Sequence, residues 1–287
     1  MDFWYTYIVL AEIYVLLGLS TNLLVGIVGI FSVSQAAVFG VGAYIVAAAT
    51  MNDTLSFVPA LLIASACGLA LNVLVTLPSL RVSGDYFVVT SFGIQLLATA
   101  IFTNWTEGTG GANGLPGIPP PDIFGLAVTE TRQFLVLSSV LLSLGCLAFW
   151  LAMRAPYGRL LRAIREDELA VAAAGKNILF AKVSAAALAG AFAGSAGGLY
   201  GSFLSFVDPS SFDLDASILL LTMVVVGGAR TLTGSIIGPF VLLALPQLLA
   251  LVDIPTTIAA ASRQLIYGVL LIAFMLFRPQ GLAGEKL

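Results

Sequence analysis

An all-α fold, a polytopic transmembrane helical bundle of about eight to ten spans, is what this sequence predicts, on three observations. Only 9% of its 287 residues are charged, against 59% that are hydrophobic. Mean hydropathy is +1.04, and a water-soluble surface normally carries about 25% charge. Apolar runs of about 20 residues, each long enough to cross a hydrocarbon core of roughly 30 Å, recur from end to end. Barrel strands would show short alternating segments instead.

Nine runs qualify in order: Tyr7 to Ile27, Val33 to Met51, Phe57 to Leu80, Tyr86 to Asn104, Gln133 to Met153, Val183 to Leu204, Leu214 to Gly228, Ser235 to Val252 and Arg263 to Phe277. The N-terminal stretch has no basic n-region and no small-residue cleavage site, so it reads as a retained first helix. The first two runs are joined by the Gly- and Ser-rich GIVGIFSVSQ, and Leu214 to Gly228 is short for a full crossing. Broken or partly inserted helices are expected at both places.

Between the fourth and fifth runs lies the segment 105–132, too rich in Gly and Pro for a helix and too polar for a span. It is expected to form a structured external cap. Neither GxxxxGK[ST] nor GxGxxG can be written across Gly108 to Gly117, which excludes a phosphate loop there. Between the fifth and sixth runs lies the one long polar island, 154–182. Arg154, Arg159, Arg162, Arg165, Lys176 and Lys182 make six of the chain's 12 basic residues. Basic residues in short loops mark the cytoplasmic side, so this loop is inside. Counting crossings then puts Arg81, Arg230, Arg278 and Lys286 inside, with the C-terminus. Asp53, Glu107, Asp122, Asp208, Asp213, Asp215 and Asp253 fall outside. The whole chain reads as one membrane domain of a multi-pass protein.

The island carries its own helix signals. Glu166 or Asp167 can cap a helix, Glu168 suits its positive first turn, the Ala-rich LAVAAA favours helix, and Gly175 is placed to stop it. Two turns are marginal alone, so a partner surface is needed. That surface is the protein's own helices, lipid headgroups or another chain. Arg159, Arg162 and Arg165 share a face if the preceding segment is also helical.

Composition excludes several chemistries. With no His in the chain, the commonest metal ligand and the usual proton shuttle are missing, and no catalytic or metal site is expected. Cys67 and Cys146 lie in apolar runs and read as free thiols. A net charge of -3, confined to short loops, gives no sign of nucleic acid. Inside the spans, Gly190 with Gly194 and Gly194 with Gly198 each form a GxxxG, a signature of close helix packing. Asn22, Ser32, Ser34, Gln35, Thr90, Ser91, Gln95 and Thr99 are polar residues inside the spans that either join helices or line a path through the membrane, with Gln35, Thr90, Ser91 and Gln95 the candidates for lining it. Glu12, an acid within an apolar run, is expected near the outer end of its helix, reaching the interface.

An acid followed by an Ala-rich turn and a Gly, on the inside between two spans, resembles the coupling-helix loop of ABC importer permeases. Glu168 stands one residue farther from Gly175 than in the general motif, and Leu169 takes the first Ala place. The looser form matches the branched-chain amino acid permeases of the LivM type, and so do longer stretches of the chain in order. These are NLLVGIVGIFSVSQAAVFGVGAY, LRVSGDYFVVTSFGIQLL, TGGANGLPGIP, YGRLLRAIREDELAVAAAGKN, LAGAFAGSAGGLYG, MVVVGGARTLTGSIIGP and FRPQGL. Gln35 stands where a His is usual, and Ala229 and Arg230 where small Gly-rich residues are usual.

The resemblance implies a type II-like ABC importer permease and not an enzyme. It also implies a second homologous permease subunit, two cytosolic ATPases that bind the ATP, and an external substrate-binding protein. Asp167 to Gly175, including Ala172, would dock in an ATPase groove, with Arg162, Arg165, Glu166 and Glu168 around it. A permease for urea, amides or other amino acids is the alternative within this class. An ion-coupled secondary transporter is the alternative outside it, and only Glu12 offers it an intramembrane acid.

Overall fold

The computed structural model describes residues 2–52, 54–80, 85–123, 125–250, 256–277 and 280–284. Helices form at all nine predicted runs. They are α1 (Asp2–Thr21), continued by a π-helical stretch Asn22–Val28, α2 (Gln35–Met51), α3 (Phe57–Thr76) and α4 (Asp85–Asn104). After the one-turn α5 (Thr106–Thr109) come α6 (Thr131–Arg154), α7 (Pro156–Glu166), α8 (Glu168–Ala173), α9 (Ile178–Leu204), α10 (Leu214–Gly227), α11 (Leu232–Ala250) and α12 (Thr256–Phe277). Two-residue strands β1 (Leu115–Pro116), β2 (Asp122–Ile123), β3 (Leu126–Ala127) and β4 (Phe206–Val207) pair antiparallel as β1 with β4 and β2 with β3.

Among the described residues, five helices are long and apolar enough to cross a membrane: Phe3–Val28, Phe57–Thr76, Tyr86–Asn104, Thr131–Arg154 and Ile178–Leu204. α10, with 14 residues, rises only about 21 Å, less than a full hydrocarbon core. α2 is shortened because the chain leaves helix after the π-helical stretch, turns at Gly29 with φ +82°, and re-enters helix at Gln35. This is the break that the Gly- and Ser-rich junction predicts.

α9 is the axis of the bundle and packs on α1, α2 and α3. Its glycines set that closeness: a methyl at Gly190 would overlap the Gly68 carbonyl, one at Gly194 the Ala64 carbonyl, and one at Gly197 the Phe39 carbonyl. Without a hydrophobic force between helices in lipid, such backbone contact is what dispersion needs to hold them. α1 is buried along most of its length, whereas α4 and α6 show large apolar side chains outward, among them Leu96, Leu97, Val136, Val140 and Leu144.

The described loops sort to two ends of the bundle. At one end β1 pairs with β4, and Gly117 N–H donates to the Ser205 carbonyl (3.1 Å), so part of 105–132 is folded onto the α9–α10 junction. At the other end lie α7, α8, the Gly29 turn and the α10–α11 turn. The turn 280–284 joins them, with Leu282 N–H donating to Val226 (2.8 Å) and Ala283 N–H to Gly227 (2.9 Å). Asp53, Arg81, Asp253, Arg278 and Lys286, used in the inside-outside count, lie outside the described residues.

The expectation for Glu12 is corrected. Glu12 is 8% exposed and turned to α6, where the Ser138 and Ser139 hydroxyls lie 2.5 and 2.6 Å from its two carboxylate oxygens. A carboxylate one side-chain length from two adjacent serines satisfies itself inside the protein and has no need to reach the interface.

Candidate functional site

Most of the island 154–182 folds as two short helices, α7 and α8, broken at Asp167. Ala155 is extended (ψ 163°) and Pro156 opens α7 at its first position, where a missing N–H costs nothing. α7 is strongly amphipathic: Gly158, Leu161 and Ile164 are buried against the bundle. Arg159, Arg162 and Arg165 are spaced by three on a 3.6-residue helix, so each step drifts about 60° around the axis. Arg159 and Arg162 are therefore exposed while Arg165 is carried to the buried edge. Tyr157 ties α7 to α9 through a hydroxyl contact with Ser184 (2.9 Å), and burial pushes its phenol up from its ordinary pKa.

Asp167 is the hinge residue. Its backbone is extended (φ -152°, ψ 101°), and its carboxylate accepts the Ala170 N–H at 3.0 Å, the N-cap that the sequence predicts. Glu168 occupies the first turn, and its carboxylate meets the Lys182 ammonium of α9 at 2.7 Å. Gly175 (φ +72°) stops the segment, with Gly175 N–H donating to Ala172 (2.9 Å) and Lys176 N–H to Val171 (3.3 Å). Only Val171 of α8 is buried; Leu169 is 82% exposed, and Ala170, Ala172 and Ala173 point outward too. The result is a capped, six-residue helix held at its base and presenting an apolar face of Leu and Ala to the surroundings. Glu166 and Arg162 flank it, both exposed.

Arg165 does not join that exposed face. Its aliphatic stem lies on the Gly29 turn, where a methyl would come within 2.9 Å of its Cγ. One guanidinium nitrogen, Nη1, is buried with no hydrogen-bond partner. Burial, then the nearby Arg230, hold its pKa below the ordinary value, while Glu166 acts in the opposite sense.

Of the membrane polar residues, Gln35, Ser91 and Gln95 come together at the start of α2, and each is at most 1% exposed. The α2 N-terminus leaves backbone N–H groups without helical partners. Gln95 Oε1 accepts from Ala37 N–H (3.0 Å) in the first turn of α2, and Ser91 Oγ accepts from Val33 N–H (3.1 Å) just before it, so two residues one turn apart on α4 fix the start of α2. Gln95 also donates to the Phe212 carbonyl (2.7 Å) and accepts from Ser217 (3.3 Å), which links α2, α4 and α10. Gln35 donates to Asn72 (3.3 Å), which donates to the Ala186 carbonyl (2.8 Å), and Ser20 lies 3.1 Å from Gln35 Oε1. Thr90 stands apart, half-exposed and bonded to the Tyr86 carbonyl of its own helix (2.9 Å).

One residue that matters here, Asn72, escaped the sequence reading, signalled only by an amide amid LALNVLVT. Asn22 is visible in the sequence as a polar residue within a span, but nothing local announces its partners. Its amide donates to the Thr231 carbonyl (2.9 Å) and Ser235 (2.7 Å) and accepts from Arg230 N–H (2.9 Å). Among the described residues no group of three or more His, Cys, Asp or Glu residues could hold a metal ion.

Comparison with known proteins gives one consistent result. The family described as "Branched-chain amino acid transport system / permease component" matches residues 4–275. The chain is 31% identical over 296 residues to the high-affinity branched-chain amino acid transport system permease protein LivM of Escherichia coli (strain K12), covering 95% of this chain and 68% of that protein. It is 31% identical to the protein of the same description in Salmonella typhimurium, covering 94% and 67%. The probable branched-chain amino acid transport permease protein LivM of Methanocaldococcus jannaschii is 29% identical over 79% of this chain and 68% of its own length. No solved structure is a significant match.

Proposed function

Because the chain belongs to the branched-chain amino acid transport system permease component family, we propose that it is the membrane half of an ATP-binding-cassette importer for Leu, Ile, Val or a related amino acid. The observation that carries the proposal is α8, a capped helix with Leu169 82% exposed at the basic end of the bundle. An isolated helix needs about 12–15 residues to stand in water, so six residues capped by Asp167, seated through Val171 and turning an apolar face outward suit a partner's groove.

In this reading the basic end is cytoplasmic. α8 enters a groove on a cytosolic ATPase, with Asp167 and Gly175 fixing its ends. Ala172 and Leu169 form the contact face, and Arg162, Glu166 and Glu168 flank it. Arg165 belongs to the same coupling segment from its bundle side. Two ATPases supply the ATP chemistry, since the chain carries no phosphate-binding motif. A second homologous permease subunit pairs with this one, and an external binding protein delivers the amino acid to the end that carries 105–132. ATPase closure pulls α8, and the bundle switches access from outside to inside. Thr90, on the open side of α4, faces the path; Gln35, Ser91 and Gln95 shape it from behind by fixing where α2 begins.

The test is purification in mild detergent with the neighbouring subunits, followed by reconstitution in liposomes. ATP-driven uptake of a radiolabelled branched-chain amino acid, unaffected by an uncoupler, is expected. A chain that remains a lone stable monomer, or uptake that collapses with the ion gradient, would overturn the proposal.

A further inference from the structure

Arg165 and the π-helical end of α1 raise a question that docking of α8 leaves unanswered, namely how a pull on a surface helix reaches the buried core. The inner end of α1 is not α-helical. Residues Asn22–Val28 are wound as a π-helix, and Gly29 (φ +82°) closes it. A π-helical turn holds one residue more than an α-helical turn and is a common mark of a place where a helix changes register. This stretch is gripped on two sides. On one side Asn22 makes two bonds to the α10–α11 turn, at Arg230 N–H and the Thr231 carbonyl, and a third to Ser235 in the first turn of α11. That turn is in turn fastened to 280–284 through Thr231 Oγ1, which donates to the Ala283 carbonyl (2.7 Å). On the other side the stem of Arg165 sits on Gly29.

Both contacts are strained. Arg230 is a non-glycine residue at φ +74°, an arrangement that costs free energy and persists where the surroundings impose it. The buried Nη1 of Arg165 has no acceptor, and Arg230 is close enough for the two cations to repel. Among the described residues the ion pair formed is Lys182 with Glu168, which leaves neither arginine with a carboxylate at contact distance.

We infer that Arg165 is the positioning residue that passes displacement of α7–α8 to the π-helical end of α1, acting through its stem on Gly29. The inference rests on the reading of α8 as the ATPase-docking helix. When α7 is drawn toward the ATPase, the stem leaves Gly29 and the guanidinium moves out of its unfavourable place beside Arg230. The π-helical stretch, released on that side and still tied by Asn22 on the other, is then free to rewind, which moves α1 relative to α2.

The test uses the complete reconstituted transporter and two substitutions. Arg165→Ala removes both stem and charge; Arg165→Met keeps a stem of similar reach. Amino acid transported per ATP hydrolysed should fall at least about five-fold in Arg165→Ala and recover to within about two-fold in Arg165→Met, while both variants still purify with the ATPase. Recovery with Met also guards against a mere folding defect, since a misfolded Ala variant says nothing about the Met variant, which must couple. An unchanged ratio in Arg165→Ala, or a loss equal in both variants, would overturn the joint. Loss of the ATPase from both variants would overturn it too, by making Arg165 a docking residue. If the unsubstituted protein shows no ATP-driven uptake, the functional proposal fails first, and the two failures are told apart.

Discussion

Replacing Asp167 by Ala isolates the part of α8 that depends on capping. The Asp167 carboxylate is the side chain that satisfies an orphan N–H at the start of α8, at 3.0 Å from Ala170 N. Removing such a cap typically costs about 1 kcal/mol, a factor of about five in the equilibrium between the formed and unwound segment. α8 has six residues, of which Val171 alone is buried, so little else within the helix resists unwinding. The Lys182–Glu168 pair at 2.7 Å holds the first turn from outside, is untouched by the substitution and so does not enter the difference between the variants. If the unbound segment is near balance, the apparent affinity for the ATPase falls by about three- to five-fold, because only the formed fraction binds. Asp167→Asn keeps an acceptor at the cap and should lie within about two-fold of the unsubstituted protein. The assay is titration of purified ATPase onto the permease in nanodiscs, read by biolayer interferometry. Equal loss in the Ala and Asn variants, or no loss in either, would refute the reasoning that capping preorganises α8.

Three further substitutions test the bundle, each read as the thermal midpoint of the purified protein in detergent. Gln95→Leu strands Ala37 N–H and the Phe212 carbonyl in a place without water, at about 1–3 kcal/mol for each unsatisfied group, so a drop of several degrees is expected; an unchanged midpoint would mean these bonds are not needed. Gly190→Val should be worse tolerated than Gly93→Val, because a side chain at Gly190 meets the α3 backbone whereas one at Gly93 meets nothing within 4 Å. Glu12→Ala leaves the Ser138 and Ser139 hydroxyls facing a cavity and should lower the midpoint, while Glu12→Gln retains one acceptor and one donor for the pair and should lower it less; the reverse order would contradict the serine clasp.

The sequence made the elements of this fold readable because lipid leaves a backbone few choices: long apolar runs must be helices, and the nine runs are. Caps were equally legible, since Asp167 and Gly175 act within three or four residues of themselves. What sequence could not give were partners distant in the chain. Gln95 and Ser91 stood out as polar residues one turn apart, yet the start of α2 that they fix lies 58 positions away. Glu12 was misplaced for the same reason, because Ser138 is 126 positions off and nothing local announces it. Arg165 shows the finer limit. Spacing by three grouped it with Arg159 and Arg162, but the 60° drift per step, applied along α7, already turns it toward the bundle.

The central claim is that α8 is where an ATPase grips this permease. A photo-crosslinking amino acid placed at Leu169, an apolar α8 residue that is 82% exposed, tests it directly in the reconstituted transporter. Irradiation should join the permease to the ATPase at that position, and a probe at Leu144 on the outward face of α6 should yield no such product. Full transport with no ATPase adduct from position 169 would contradict the claim.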